Sequence, residues 1–346
     1  MTMSLALSRL YRPITPAVHP RAAELAESTL SWLDAHGLPS ADGALVEFSA
    51  RTLPDALPER AELLARYTCW AALLRAELDA TRSGSGEVLD RVVRFGHVLD
   101  APETPVPGGD PFALALCDLL RRGRRMVSPL QLRRFTEAVR SWWLGLVAER
   151  ALVERGQRPG FADWAVLRPQ SGGAAVMGVK VELALGPEVP EWELNGPVAR
   201  AATEAAWTVA LADLDLHSCH LHSCHREGEP SALNLVSALR VDAPSLSVAE
   251  AFDAAVDVRD RALALFLRLR AQLSPLSGPA MRRYLTGVGR AVAGTTEWRF
   301  GPAPEGPSIQ DIPAVSPQPL AAPTVSWWWD QLDAGARVPG PRGPFG

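Results

Sequence analysis

Residues 216–225 read LHSCHLHSCH, a five-residue block repeated in tandem. The block carries four of the seven histidines of the chain and two of its four cysteines. Imidazoles and thiols at this density support two kinds of chemistry. His217, Cys219, His220, His222, Cys224 and His225 offer i, i+3 and i, i+4 pairs that could hold Zn²⁺, although no zinc motif of fixed spacing is present. Histidine also titrates near neutrality. On a helix advancing about 3.6 residues per turn, Asp215, Ser218 and His222 (i, i+3, i+7) fall on one stripe. A carboxylate, a hydroxyl and an imidazole on one stripe are groups of general acid–base catalysis. The plain alternative is a half-exposed polar helix end, and both readings stand at this stage.

Such a stripe needs a helix to carry it, and the chain is rich in helix signals. Ala/Leu/Arg-rich segments with apolar residues three and four apart cover 21–36, 58–81, 111–123, 129–156, 198–225 and 248–274. Proline and glycine clusters at 84–86, 102–109, 158–160, 186–190 and 275–279 punctuate them. Strand signals are few. Long helices with short breaks predict an all-α bundle, a single domain over residues 1–300 without an internal boundary. From Gly301 prolines crowd the chain, so 301–346 reads as an extended, disordered or lid-forming tail, with Trp327, Trp328 and Trp329 as its ordered candidate.

Composition narrows the function classes. At 346 residues the chain can bury a large core. A formal charge of −4 with dispersed basic residues argues against a nucleic-acid footprint. Lys180 is the only lysine, and arginine carries the remaining positive charge, a bias in keeping with a GC-rich coding sequence. No apolar run of about 20 residues exists to cross a membrane, and the first twenty residues lack the apolar run of a signal peptide. Four cysteines, two of them beside histidines, do not make a disulfide framework. The expectation is a soluble, cytoplasmic protein with a small hydrophobic partner, a homodimer being left open.

Five segments resemble a known family in order. HPRAAELAESTLSWLDAHGL (19–38) resembles the opening of bacterial class I terpene synthases, and YTCWAALLRAELD (67–79) resembles their aspartate-rich helix. FADWAVLRPQSGG (161–173) is similar to their Y-L-x-L-R-R-x-T-G-G segment. NLVSALRVDAPSLSVAEA (234–251) and YLTGVGRAVAGTTEW (284–298) resemble the helix after their second metal motif and their closing helix. The resemblance runs from about 19 to 298. It implies a single helical bundle, class I terpenoid synthase-like, around a central apolar pocket. Two metal motifs, DDxxD and NDxxSxxxE, would face each other across its mouth. They would hold three Mg²⁺ that draw away a substrate diphosphate, since hard cations need carboxylate and amide oxygens.

The chain departs from both motifs. With Trp70 in register, residues 75–79 fall on DDxxD, and only Asp79 survives there, while Arg75 replaces the first carboxylate. Arg75 and Asp79, four apart, can pair on one helix face. That pair either fills an abandoned site or leaves Arg75 to meet a carboxylate, phosphate or enolate directly. The second motif has two registers. In one, Leu214, Asp215 and Ser218 take the N, D and S positions and His222 replaces the closing Glu. In the other, Ser223 and Glu227 supply S and E, with Cys219 and His220 where N and D belong. The interval from Arg168, at the family's diphosphate-sensing position, favours the first, with the extra residues absorbed at the helix end. Ser171 and Gly172 match the linker and helix break of that segment. The family's closing Arg-Tyr pair is approximated only by Arg299 and Phe300. Trp142, Trp143, Trp207 and Trp298 either wall the pocket or fill the core.

These residues carry three readings. The first is a terpene synthase-like cyclase of secondary metabolism acting on an isoprenoid, with impaired or absent Mg²⁺-dependent ionisation. A complete three-ion cluster is not expected. Asp79, Asp215, Ser218 and His222 would be catalytic, and Arg75, Arg168, Ser171, Gly172 and Trp298 would bind substrate. The second is a metal-independent cyclase or isomerase of a non-diphosphate intermediate by acid–base catalysis in a dry pocket. The third is a pseudoenzyme or partner protein, with the Trp327–Trp329 triplet as its contact or folded back on its own domain.

Overall fold

The structure is a computed structural model that describes residues 7, 9–81, 83–225, 233–302 and 318–332. Within them every regular element is a helix, as the alternation of apolar stripes and Pro/Gly breaks predicts. In chain order these are α1 (Ala22–Ala35), α2 (Gly43–Thr52), α3 (Pro58–Ala80), α4 (Ser85–Asp100), α5 (Pro111–Gly123), α6 (Pro129–Glu154) and α7 (Phe161–Ser171). They continue with α8 (Ala174–Leu185), the short α9 (Glu191–Leu194), α10 (Pro197–His225), α11 (Leu235–Asp242), α12 (Val248–Leu273), α13 (Pro279–Phe300) and α14 (Pro323–Asp330).

The helix starts are written locally. Proline opens α3, α5, α6 and α13, where its missing N–H costs nothing and its φ is already helical. Ser128 with Gln131 and Ser247 with Glu250 form capping boxes at α6 and α12. Between α7 and α8 the break is glycine-made: Gly173 sits at φ +72°, a left-handed conformation that side chains resist.

Helix α10 runs through the core and packs along α12 and α13. Its buried alanines (Ala201, Ala202, Ala205, Ala206, Ala210 and Ala212) admit these neighbours closely. One charged group stands inside this contact. Arg259 of α12, 1% exposed, donates to Asp213 of α10 at 2.9 Å, to Thr296 of α13 at 3.0 Å and to Asp260 at 2.7 Å. It also donates to the Tyr11 carbonyl, tying the N-terminal segment to the bundle. Burial alone would favour the uncharged guanidine, but Asp213 and Asp260 override it and hold the Arg259 pKa above its ordinary value.

The stretch expected as a tail carries a docked helix. Val325, Trp328 and Trp329 of α14 are buried, and Trp328 Nε1 donates to Glu204 of α10 at 2.8 Å. The tryptophan triplet supplies enough apolar surface to hold this short helix against α7 and α10, on the outside of the bundle. None of the residues of α14 is among those that line the central cavity described below. The rest of that stretch, 303–317 and 333–346, lies outside the described residues, as do 226–232 with Glu227. The side chains of His222, Ser223, Cys224 and His225 lie outside them too, and with them the His222 and zinc expectations. No helix among the described residues is long and apolar enough to cross a membrane.

Candidate active site

A cavity of about 440 Å³ opens between α3, α6, α7, α8, α10 and α13. Three helical stripes make most of it. Helix α3 contributes Thr68, Ala71, Ala72 and Arg75, α8 contributes Val176, Met177 and Lys180, and α10 contributes Leu214, Asp215 and Ser218. Each set follows the three-to-four spacing of one helix face. The alanines of α3 leave the volume open, while Phe48, Trp142 and Trp298 add aromatic wall.

The mouth is a set of ion pairs. Arg75 donates through Nε to Asp79 at 3.0 Å and through Nη1 and Nη2 to Glu149 of α6 at 3.1 and 2.9 Å. Asp79 also accepts from Arg150 at 2.9 Å. Burial disfavours the charge on Arg75, yet the Glu149 and Asp79 carboxylates outweigh it and hold its pKa above the usual guanidinium value. Glu149 is buried, which would raise its pKa; Arg75 chiefly, then Arg168 and Ser171, pull it below the ordinary carboxylate range. Asp79 itself lies outside the cavity lining, in a neighbouring cleft that shares Arg75 and Glu149.

Across the mouth Arg168 holds Asp215 with two hydrogen bonds, at 3.0 and 2.9 Å. Asp215 also accepts from Trp164 Nε1 at 2.9 Å and from the Leu235 amide at 3.0 Å. Its carboxylate is thus fully occupied as an acceptor, which makes it a positioning group more than a free base. Asn234 Nδ2 donates to the Asp215 carbonyl and its Oδ1 caps α11, fixing the chain where it re-enters after α10. Gly172 has no room for a side chain: a Cβ there would lie 2.3 Å from Leu211 Cδ2 and 2.7 Å from Arg168 Nη1. Arg299 of α13 stacks over the Trp298 ring at 4.0 Å and lines the cavity. Burial and the charge of Arg168 push its pKa down to about 10. Burial, then Arg299 and His220, push His217 down to about 4, so it is a neutral imidazole at pH 7.

Of the residues expected at the site, Arg75, Arg168, Ser171, Gly172, Asp215, Ser218 and Trp298 line one cavity, with Asp79 just outside it. The aromatic expectation holds for Trp142 and Trp298 only. Trp143 packs into the core against Phe95, because neighbours on a helix point about 100° apart. Trp207 faces a separate cleft of about 650 Å³ shared with Trp327 and Trp328. Three polar residues that line the cavity were not singled out as site residues: Glu149, Lys180 and Thr68. Glu149 had a usable signal, since it lies seven residues beyond Trp142 on the same α6 stripe.

Known proteins share this arrangement of helices. Residues 77–264 match the sequence profile of "Terpene synthase family 2, C-terminal metal binding". Phomopsene synthase of Allokutzneria albata is 30% identical over 345 residues, covering 93% of this chain and 96% of that protein. Spiroviolene synthase of Streptomyces violens is 29% identical over 355 residues, covering 94% and 96%. The crystal structure of the SVS_A2 protein from ancestral sequence reconstruction superposes with a TM-score of 0.79 at 31% identity, covering 93% of this chain and 98% of that one.

Proposed function

This chain belongs to terpene synthase family 2, and from that premise we propose that it binds an isoprenoid in the central cavity and cyclises it with little or no help from a magnesium cluster. The observation that carries this reading is the Arg75 bridge. A guanidinium stands where the family's first metal-binding carboxylate belongs, bonded to both Asp79 and Glu149. Leu214 offers no ligand oxygen at the second motif, and both oxygens of Asp215 are committed to Arg168, Trp164 and the Leu235 amide. Cations placed here would meet Arg75 repulsion and occupied acceptors, so the donor set does not fit three Mg²⁺.

What remains is arginine chemistry. Arg75, Arg168 and Arg299 present fixed donors to an anionic or polar head, while the apolar walls fold the tail. Arg75 is paired with Glu149 and Asp79 and Arg168 with Asp215, so leaving-group stabilisation is weaker than a metal cluster supplies, and each ~1.4 kcal/mol of barrier is tenfold in rate. Ser218, on the cavity face beside Asp215, can hydrogen-bond the same head. The metal-independent reading on a non-diphosphate substrate gains from the same pairs, because a neutralised mouth suits a ligand without high charge.

The test is turnover of isoprenyl diphosphates of several chain lengths with Mg²⁺ and with EDTA. Slow turnover that EDTA leaves unchanged is expected, weakened by Arg168→Ala. Fast, strictly Mg²⁺-dependent turnover, or three Mg²⁺ bound at these motifs in an analogue complex, would overturn the reading. Tight binding without any turnover would instead favour a binding protein.

A further inference from the structure

The deep end of the cavity carries a second reactive group. Thr68 lies seven residues before Arg75 on α3, about 10 Å toward the interior at 1.5 Å per residue. There the Lys180 ammonium donates to the Thr68 hydroxyl at 2.5 Å. The residue is 7% exposed, and among the described residues no carboxylate pairs with it. Tyr67 lines the same cavity, and its hydroxyl is buried without a hydrogen-bond partner. An amine and an unpartnered phenol thus belong to residues that line one cavity, away from the ion pairs of its mouth.

We infer that Lys180 is a covalent binding site for an apolar carbonyl compound, an aldehyde or ketone of terpenoid type. The amine nitrogen adds to the carbonyl carbon, the carbinolamine loses its oxygen as water, and a C=N bond to Lys180 remains. Tyr67 Oη donates to the carbonyl oxygen as it takes up charge. No oxidant or reductant is needed. This goes beyond the isoprenoid reading of the mouth and does not depend on whether a diphosphate is ionised.

Several observations support it. Desolvation pushes the Lys180 pKa down to about 8, so a sizeable fraction is nucleophilic amine near neutrality. Among the described residues the titratable group that bears on it is Cys69, and burial keeps that thiol protonated, up to about 12. Burial also raises the Tyr67 pKa, keeping its proton available for donation. An amine here is at odds with a pocket built only for carbocations. As an ammonium it repels a cation, and as a neutral amine it captures one or takes its proton.

The chain itself simplifies the experiment, since Lys180 is its only lysine. The full protein is incubated with citronellal, an apolar aldehyde without a conjugated alkene, and the imine is reduced with cyanoborohydride. Intact mass and peptide mapping then locate the adduct. Expected is one reduced adduct on the peptide containing Lys180, forming faster as pH rises through about 8 and blocked by excess citronellol. It should be absent in Lys180→Met and severalfold slower in Tyr67→Phe, with circular dichroism confirming that both fold. In Thr68→Val, which removes the hydroxyl that accepts from the ammonium, the pH midpoint should move down. Labelling confined to the N-terminal amine, labelling that survives Lys180→Met, or labelling that citronellol does not block would overturn the proposal. So would a Lys180→Met variant that changes products from isoprenyl diphosphates while the native protein forms no adduct, since Lys180 would then be a base. Diphosphate binding, measured separately by calorimetry, separates the two readings: binding without an adduct sinks the amine proposal alone, and an adduct without binding sinks the isoprenyl diphosphate reading alone.

Discussion

Replacing Lys180 by methionine should make the protein more stable at neutral pH. The folded-state pKa of about 8 lies below the ordinary 10.5. Between those two values the unfolded chain binds more protons than the folded one, so stability rises with pH across that window. Below it, the native protein carries the full cost of a buried ammonium. At 1.36 kcal/mol per unit the cost is about 3 kcal/mol. A chain of this length unfolds with an entropy near 0.7 kcal/mol per degree, on the order of 2 cal/mol/K per residue. Lys180→Met, similar in shape and without charge, should therefore melt about 4 °C higher at pH 7. The assay is calorimetric melting of both proteins from pH 6 to 10.5. The gap should be constant below pH 7 and shrink to near zero by the upper end. Cys69, held up to about 12 against an ordinary 9.0, acts in the opposite sense at alkaline pH but is common to both proteins. A gap near zero at pH 7, or one that does not change with pH, would refute the claim that Lys180 is a desolvated, unpaired cation.

Other outcomes follow from the same geometry. Asp213→Ala removes one of the two carboxylates that hold the buried Arg259 and should cost up to about 3–5 kcal/mol, seen as a melting temperature lower by several degrees. Arg75→Ala leaves Glu149 buried without its main counter-ion; native stability from this pair is lost as pH falls through the depressed Glu149 pKa, so the gap between native and variant should narrow in mild acid. Gly172→Ala forces a methyl onto Leu211 and Arg168, costing about 1–3 kcal/mol and weakening inorganic pyrophosphate binding measured by calorimetry. Deleting residues 221–225 should leave helical content and melting within about 1 kcal/mol of the native protein, as judged by circular dichroism.

The helices were legible because their signals are local. Pro58, Pro111, Pro129 and Pro279 mark starts that the structure keeps, and the Arg75–Asp79 pair is visible as an i, i+4 spacing. Glu149 was not legible as the second partner of Arg75, since 74 residues separate them and only the packing of α3 near α6 joins them. Trp142 and Trp143 were equivalent in sequence, and which of the two reaches the cavity is decided by the rotation of α6 against α7 and α8. Lys180 read as a quirk of composition. Its position becomes chemical only because the break at Gly172–Gly173 sets α8 with Val176, Met177 and Lys180 toward the chamber. Helices α2, α4 and α11 were not singled out by periodicity in the sequence, although Val88, Val92, Phe95 and Leu99 of α4 keep a regular three-to-four spacing.

The buried Arg259 network has a further meaning for how α10 can vary. Asp213 and Asp215 lie about 200° apart around the helix, one accepting from Arg259 and Thr296, the other from Arg168. Gripped on opposite sides within a single turn, α10 cannot roll about its axis. Changes of length beyond Ser218 are therefore mechanically isolated from the residues upstream. The second copy of the repeated pentapeptide, residues 221–225, lies beyond that grip. A gene could lengthen, shorten or rewrite this end of the helix while the cavity-facing edge kept its aim, which makes it ground open to trial.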